Sequence, residues 1–215
     1  ATSLTAVMVK RADDAGAIAA FLADRRYRAS VIGPGAGVGP ATRARAQACL
    51  AADGACVLDA DALTSFEQDP DALFRRLHVR DVLTPHAGEF ARLFPDLDPA
   101  GPDGKVAAAL TAAARAGCVV VLKGPDTVVA APDGRAVVNA NAPPDLATAG
   151  AGDVLAGLIA GFAAQDPGAS FSAACAGVWV HGACGAAIGP GLIADDLPGA
   201  VPGVLKSLRS LDLSA

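Results

Sequence analysis

Aromatic side chains are scarce in this 215-residue chain, at 4%, with one Trp, one Tyr and seven Phe. A core built on stacked rings is therefore excluded, and the 53% hydrophobic content has to pack through Ala, Val and Leu. Charge is also low, at 18%, and its balance is acidic, with a net −5 at pH 7. That excludes a broad basic surface for nucleic acid. An anionic ligand would need local help from main-chain amides, helix ends or a few lysines. No apolar run is read as reaching the roughly 18 residues of a membrane span, and no signal-peptide pattern opens the chain, so the expectation is no membrane and a cytoplasmic location. The five cysteines, Cys49, Cys56, Cys118, Cys175 and Cys184, are odd in number and form no CxxC. With only three histidines, none at ligand spacing to them, a zinc site is excluded and buried thiols in a reducing compartment are expected.

What is present is an alternation of short β-branched runs with Ala-rich helical stretches. Strands are expected at Leu4–Val9, Ala29–Gly33, Ala55–Leu63, the start of Asp81–Phe94 and Cys118–Gly124, and two more flank Pro132-Asp133-Gly134 within Thr127–Ala140. Helices are expected at Pro40–Ala52, the end of Asp81–Phe94, Gly104–Gly117, about a dozen residues after Gly152, and Phe171–Gly189. The last is apolar all round and is expected to be buried. This alternation predicts one α/β domain with a mostly parallel sheet covered on both faces and an antiparallel hairpin added. The Asp96–Gly104 stretch reads as a loop.

In open α/β sheets, ligands bind beyond the carboxyl ends of the strands, and the unusual residues fall there. Gly33, Gly35, Gly37 and Gly39 follow one strand. They could cradle a phosphate or form a plain turn, and they match neither GxGxxG nor a Walker loop. Asp59 and Asp61 could steady a metal or a ligand hydroxyl, or cap a helix. Thr84, His86 and Glu89 follow the next strand, where His86 could bond a ligand or stand in an exposed turn. His181 reads as a satisfied core histidine and His78 as a surface one. Lys123, ending a strongly apolar strand, must reach solvent or an anion. The sharpest signal is Ala147–Gly157, ATAGAGDVLAG: Gly150 and Gly152 before a helix expose its first N–H groups, and Asp153 stands beside them. The turn can serve as an anion hole with a general base, or as an acid-capped helix start. Five such strand ends together predict a single cleft.

GPGAGVG, VLDADAL, LTPHAGEFARL, VVVLKGPDTVVAAPDG, ATAGAGDVLAGLIAG, GVWVHGACG and GPGLIADDLP occur in this order along essentially the whole chain. Together they resemble the ADP/ATP-dependent NAD(P)H-hydrate dehydratases of the ribokinase-like superfamily. The resemblance implies a three-layer α/β/α fold and nucleotide-dependent repair of the hydrated cofactors NADHX and NADPHX, with Mg²⁺ accompanying ADP or ATP. It implies that Lys123, Gly124, Pro125, Asp126, Thr127 and Gly152 line the adenine-nucleotide site. Gly35, Gly37 and His86 would contact the hydrated dinucleotide, and Asp153 its reactive hydroxyl, with the amides of Gly150 to Asp153 holding the phosphoryl oxygens. It also implies a fused or separate epimerase as partner and a domain whose glycine-rich first strand, loop and helix precede this chain; separately, the small-residue helix near Val178–Ala187 could pack against another subunit, so a homo-oligomer is expected. Two departures stand out: Ala87 where the family usually has Pro, and NAPPDLATAG in place of its Gly-Asn-Pro-Gly-Met wording. A small-molecule kinase of the same superfamily would share GAGD without LTPHAGE and VLKGPDT, and an inactive nucleotide-binding module is the reading from another class.

Overall fold

The computed structural model describes residues 7–101 and 104–212. In chain order the elements are α1 (Ala15–Leu22), β1 (Ala29–Ile32), α2 (Pro40–Leu50), β2 (Ala55–Leu58), α3 (Asp61–Thr64), α4 (Pro70–Phe74), β3 (Val82–Leu83) and α5 (Ala87–Leu93). There follow α6 (Gly104–Ala116), β4 (Val119–Leu122), β5 (Thr127–Ala130), β6 (Ala136–Asn139), α7 (Ala151–Ala163), α8 (Ser170–Ile188) and α9 (Leu197–Asp212). The six strands lie in sequence order. β1 to β4 are parallel, and β5 and β6 add as an antiparallel hairpin. The strand expected over Leu4–Val9 falls mostly outside the described residues, and Val7, Met8 and Val9 are exposed without regular structure.

Alternation along the strands divides the core. Cys56, Leu58, Leu83, Val120 and Leu122 face a cluster with α2, α3, α5 and α6, into which Phe66, Phe90 and Phe94 pack. Val57, Val82, Val119 and Val121 face the opposite way, onto Leu155, Ala156 and Ile159 of α7 and Ala174 and Val178 of α8. The result is a three-layer α/β/α domain, as expected. Full burial of each branched side chain contributes about 1.5–3 kcal/mol. The strands β2 and β4 are buried on both faces, which explains their unbroken apolar wording.

The fully buried rings, Phe66, Phe90 and Phe94, are gathered on the first face. Phe74 stacks on Phe94 at 5.1 Å, and Phe90 meets Phe94 at 5.0 Å, all on the first face. The second face has small residues and lets helices approach closely. A β-carbon on Gly177 of α8 would stand 2.7 Å from Ile159 Cγ1, one on Gly185 would stand 2.7 Å from Leu146 Cγ, and one on Gly182 would overlap Asn141. Two expectations change here. Pro167–Ile188 is long and apolar enough to cross a membrane, contrary to the reading that no run qualifies, yet half of its apolar window is buried in the fold. Nor is α8 buried all round, since Trp179 is 41% exposed. Its small residues are explained by packing on α7 and the segment around Leu146.

β2 and β4 are shorter than expected, β4 spanning Val119–Leu122 of Cys118–Gly124, whereas β3 breaks at Thr84-Pro85 as expected. β2 stops at Leu58 because the chain turns: Ala60 takes a positive φ of 46° and Asp61 opens α3. β3 stops before Thr84-Pro85, where proline has no N–H to continue the ladder.

Candidate functional site

The carboxyl ends of β1 to β4 lie side by side, and direct bonds tie their loops together. The Gly37 N–H donates to Asp61 Oδ2 at 2.8 Å and the Gly39 N–H to Ser65 Oγ at 3.0 Å, joining the loop after β1 to α3. Gly33 lies so close to the Asp59 carbonyl that a β-carbon would overlap it. Thr84 donates through both its N–H and its hydroxyl to the Leu58 carbonyl at 3.1 Å, and the Lys123 N–H donates to the Pro85 carbonyl at 2.9 Å. Lys123 Nζ then crosses over β3 to donate to Asp59 Oδ1 at 2.7 Å. A β-carbon on Gly152 would lie 3.4 Å from that Nζ and 3.8 Å from Asp59 Oδ2. The five strand-end signals thus do form a single connected rim.

Each predicted residue has a definite place on it. Gly150 is the N-cap of α7 in the left-handed region, at φ 85° and ψ −13°. Its N–H and that of Gly152 donate to no acceptor among the described residues. The Ala151 N–H reaches the Thr148 carbonyl at 3.3 Å, and the Asp153 N–H donates to the Gly150 carbonyl at 3.1 Å. The unbonded donors at this turn, among the described residues, are therefore the Gly150 and Gly152 amides, whereas the Asp153 amide is engaged within the first turn of α7. The Asp153 side chain is exposed, free to meet a ligand hydroxyl.

The loop Lys123–Thr127 folds as a closed turn. The Gly124 N–H donates to Thr127 Oγ1 at 3.2 Å, and that hydroxyl donates to the Gly124 carbonyl at 2.9 Å. Lys105, from the first turn of α6, donates to the Asp126 carbonyl at 2.8 Å and to its Oδ1 at 2.9 Å. That ammonium holds the Asp126 carboxyl below the usual range. Lys105 was missed by sequence reasoning. Its only signal was a lysine opening a helix 18 residues before the strand-end lysine. A cavity of about 430 Å³ opens between this loop and the first turn of α7; Lys123, Gly124, Pro125, Thr127 and Gly152 line it, as do Leu146 and Leu155 on its apolar side. Its mixed lining suits a flat heterocycle with an anionic tail.

His86 is the N-cap of α5. Its Nδ1 accepts from the N–H groups of Gly88 at 2.9 Å and Glu89 at 3.3 Å, while Glu89 Oε2 accepts from the His86 N–H at 2.8 Å. That reciprocal arrangement is a capping box with histidine in the cap position. Acceptance at Nδ1 leaves the ring proton on Nε2, which faces Glu89 Oε1 at 3.5 Å, while the side chain as a whole is 54% exposed on the rim. Gly35 and Gly37 take positive φ of 63° and 77° in the loop after β1. Because Asp61 and Ser65 already occupy the Gly37 and Gly39 amides, this loop is a braced turn and not a phosphate cradle. His181 departs from its reading as a satisfied core histidine. It is 8% exposed, lines the cavity, and its Nε2 has no hydrogen-bond partner among the described residues. Burial, with help from the Lys123 charge, pushes its imidazole below the ordinary value against an opposing Ala151 main-chain bond. Among the described residues no three His, Cys, Asp or Glu side chains gather as a metal site.

A family model described as NAD(P)H-hydrate dehydratase (Carb_kinase) matches residues 1–197. The chain belongs to the NAD(P)H-hydrate dehydratase family. It is 40% identical over 186 residues to the ADP-dependent (S)-NAD(P)H-hydrate dehydratase of Xanthomonas campestris, covering 84% of this chain and 62% of that protein. It is 44% identical over 160 residues to the bifunctional NAD(P)H-hydrate repair enzyme Nnr of Gloeobacter violaceus, covering 74% of this chain and 30% of that one. Among solved structures, the ADP/ATP-dependent NAD(P)H-hydrate dehydratase of Bacillus subtilis, co-crystallised with ATP and Mg²⁺ and soaked with CoA, superposes with a TM-score of 0.69. It shares 32% identity, covering 84% of this chain and 66% of that chain. A ribokinase-like superfamily protein of Enterococcus faecalis superposes with a TM-score of 0.72 at 25% identity, covering 90% and 66%. The chain thus spans less than two thirds of the length of these dehydratase relatives.

Proposed function

We propose that this protein dehydrates hydrated NADH and NADPH at the expense of ADP or ATP, restoring the reduced cofactor. The observation that carries the reading is the position of Gly152. Gly152, whose N–H is unbonded among the described residues, lines the cavity beside the Lys123–Thr127 loop with its β-position 3.4 Å from the Lys123 ammonium, and the exposed Asp153 follows it in the chain. Family membership supplies the substrate class, since relatives named as ADP-dependent dehydratases share 39–40% identity with this chain.

The chemistry follows from leaving-group ability. Hydroxide leaves a reduced nicotinamide ring poorly and phosphate leaves well. Asp153 takes the proton of the ring hydroxyl, and its oxygen attacks the terminal phosphoryl group of the nucleotide. A new O–P bond forms as the bond to the departing nucleotide breaks, with AMP leaving from ADP. The Gly150 and Gly152 amides and Lys123 hold the phosphoryl oxygens as their charge shifts. The ring nitrogen lone pair then expels phosphate, and a proton leaves the adjacent ring carbon to restore the dihydropyridine. Gly35, Gly37 and His86 form the rim on which the dinucleotide would rest. Mg²⁺ would arrive on the nucleotide phosphates as part of the co-substrate, in keeping with its preference for phosphate and water over a full protein cage.

Five free cysteines, four of them buried, support a reducing cytoplasmic setting. The bifunctional repair enzymes among the relatives support cooperation with an epimerase, fused or separate. Exposed Val137 and Val138 on edge strand β6, with Trp179, support self-association. The test is to incubate the protein with the hydrated dinucleotide and either ADP or ATP and follow NADH absorbance. Regain of absorbance that requires nucleotide is the expected result. A stable phosphorylated heterocycle without NADH would turn the reading to a small-molecule kinase.

A further inference from the structure

Lys123 and Asp59 form a pair that the fold does not require. Their side chains are 18% and 2% exposed. Desolvating two charges to that extent costs about what their attraction returns, and an apolar pair would serve the sheet as well. The carboxylate is fixed from its own backbone. The Asp59 N–H donates to the Ile32 carbonyl at 3.1 Å, Gly33 packs against its carbonyl, and the positive φ of Ala60 turns the chain away immediately after it. Oδ1 is taken by the ammonium, while Oδ2 faces the first turn of α7. The ammonium and the carboxylate thus bracket the side of Gly152 that carries no β-carbon. An ammonium has three donors, and Asp59 uses one, leaving two for phosphate oxygens.

We infer that Asp59 is a positioning residue: it holds the Lys123 ammonium beside the N-terminus of α7, so that a phosphate of the nucleotide is received between a fixed cation and the Gly152 amide. The inference rests on the nucleotide reading above and adds a residue to it. Asp59 makes no contact with the phosphate in this arrangement; with its Oδ2 3.8 Å from the β-position of Gly152, its charge keeps phosphate oxygens off that position and leaves the Gly152 N–H and the remaining lysine donors as the approach. Its contribution is orientation of the lysine in place of gross attraction.

The test compares ADP with adenosine, which carries no phosphate, by titration calorimetry on the wild type, Asp59→Asn, Lys123→Gln and the double variant. Asp59→Asn is expected to weaken ADP binding by about tenfold, the scale of one charge-assisted hydrogen bond, and to leave adenosine binding unchanged. In the Lys123→Gln background the same change is expected to cause no further loss of ADP affinity, and a gain from removing the carboxylate's repulsion is equally consistent with the inference. Wild-type ADP affinity in Asp59→Asn, equal loss of ADP and adenosine, or a full additional loss in the double variant would each overturn the inference. If Asp59→Asn fails to fold, Lys123→Gln and the double variant still decide it, since the double variant leaves no unpaired buried charge. ADP affinity in the double variant equal to or above that of Lys123→Gln supports the inference, and weaker binding by the double variant overturns it. A wild-type protein that binds neither ADP nor adenosine overturns the nucleotide reading itself.

Discussion

Gly152 and Asp153 are chain neighbours with opposite needs. In the proposed function Gly152 lacks a side chain for the sake of the ligand, since its backbone sits in α7 with ordinary helical geometry and no positive φ. A methyl there would stand 3.4 Å from Lys123 Nζ, a tolerable contact in the free protein. Gly152→Ala is therefore expected to fold, with stability unchanged or raised by up to about 1 kcal/mol from helix propensity, while ADP binding falls because the methyl crowds the Lys123 ammonium beside the proposed phosphate site. Asp153→Asn makes the opposite separation: ADP binding is kept and turnover is abolished, since the general base is gone and the amides remain. Calorimetry and NADH absorbance on both variants check the pair. His181 supports a prediction of another kind. Its buried Nε2 lacks a partner, so His181→Leu is expected to cost no stability at pH 7 and to gain as much as about 1 kcal/mol. The sign with pH follows from its lowered folded value. Above the unfolded value of about 6.5 the ring is neutral in both states; as pH falls below that, the unfolded chain binds the proton first and stability is lost. The melting temperature of the wild type should fall more steeply than that of His181→Leu as pH drops from 7 toward 5.

At the scale of elements, the expected strands and helices agreed wherever period and punctuation were both present, as in α6 with its closing Gly117 or in the hairpin β5–β6 around Asp133-Gly134. They were overextended where a tertiary contact ended the strand. Nothing local in VLDADAL announces that Gly33 must pack against the Asp59 carbonyl, and that approach, with the turn at Ala60, is what stops β2 at Leu58. The pairing of Lys123 with Asp59 was equally invisible, because strand order decides it and the residues lie 64 positions apart. Glycines in helices show the same division between local and tertiary causes. Gly157 of α7 is exposed and a β-carbon on it meets nothing within 4 Å, whereas Gly177 of α8 lies against Ile159. Gly157→Ala should raise stability by about 0.5–1 kcal/mol, and Gly177→Ala should lower it by about 1–3 kcal/mol through forced separation of α7 and α8. Denaturant unfolding of the two variants measures the contrast directly.

For the whole molecule, the site is a seam. It joins the loops after β1 to β4 to the start of α7, so the two core clusters on opposite faces of the sheet would meet the proposed nucleotide at a common edge. Composition foretold the layers but not this seam: an acidic, weakly charged chain gave no hint that two lysines, Lys105 and Lys123, would be gathered at one loop, each steadied by an aspartate. A ligand that bridges such a seam binds only the folded chain and therefore stabilises all of it. At an ADP concentration 100 times the dissociation constant the expected gain is about 2.7 kcal/mol. For a domain of this size that corresponds to a rise in melting temperature of roughly 5–10 °C. The same rise is expected for Asp153→Asn, because the base takes no part in nucleotide affinity, and a smaller one for Lys123→Gln and Gly152→Ala at the same ADP concentration. Thermal scans with and without ADP test this ordering. An equal rise in all four proteins would place the nucleotide away from the Lys123–Gly152 junction.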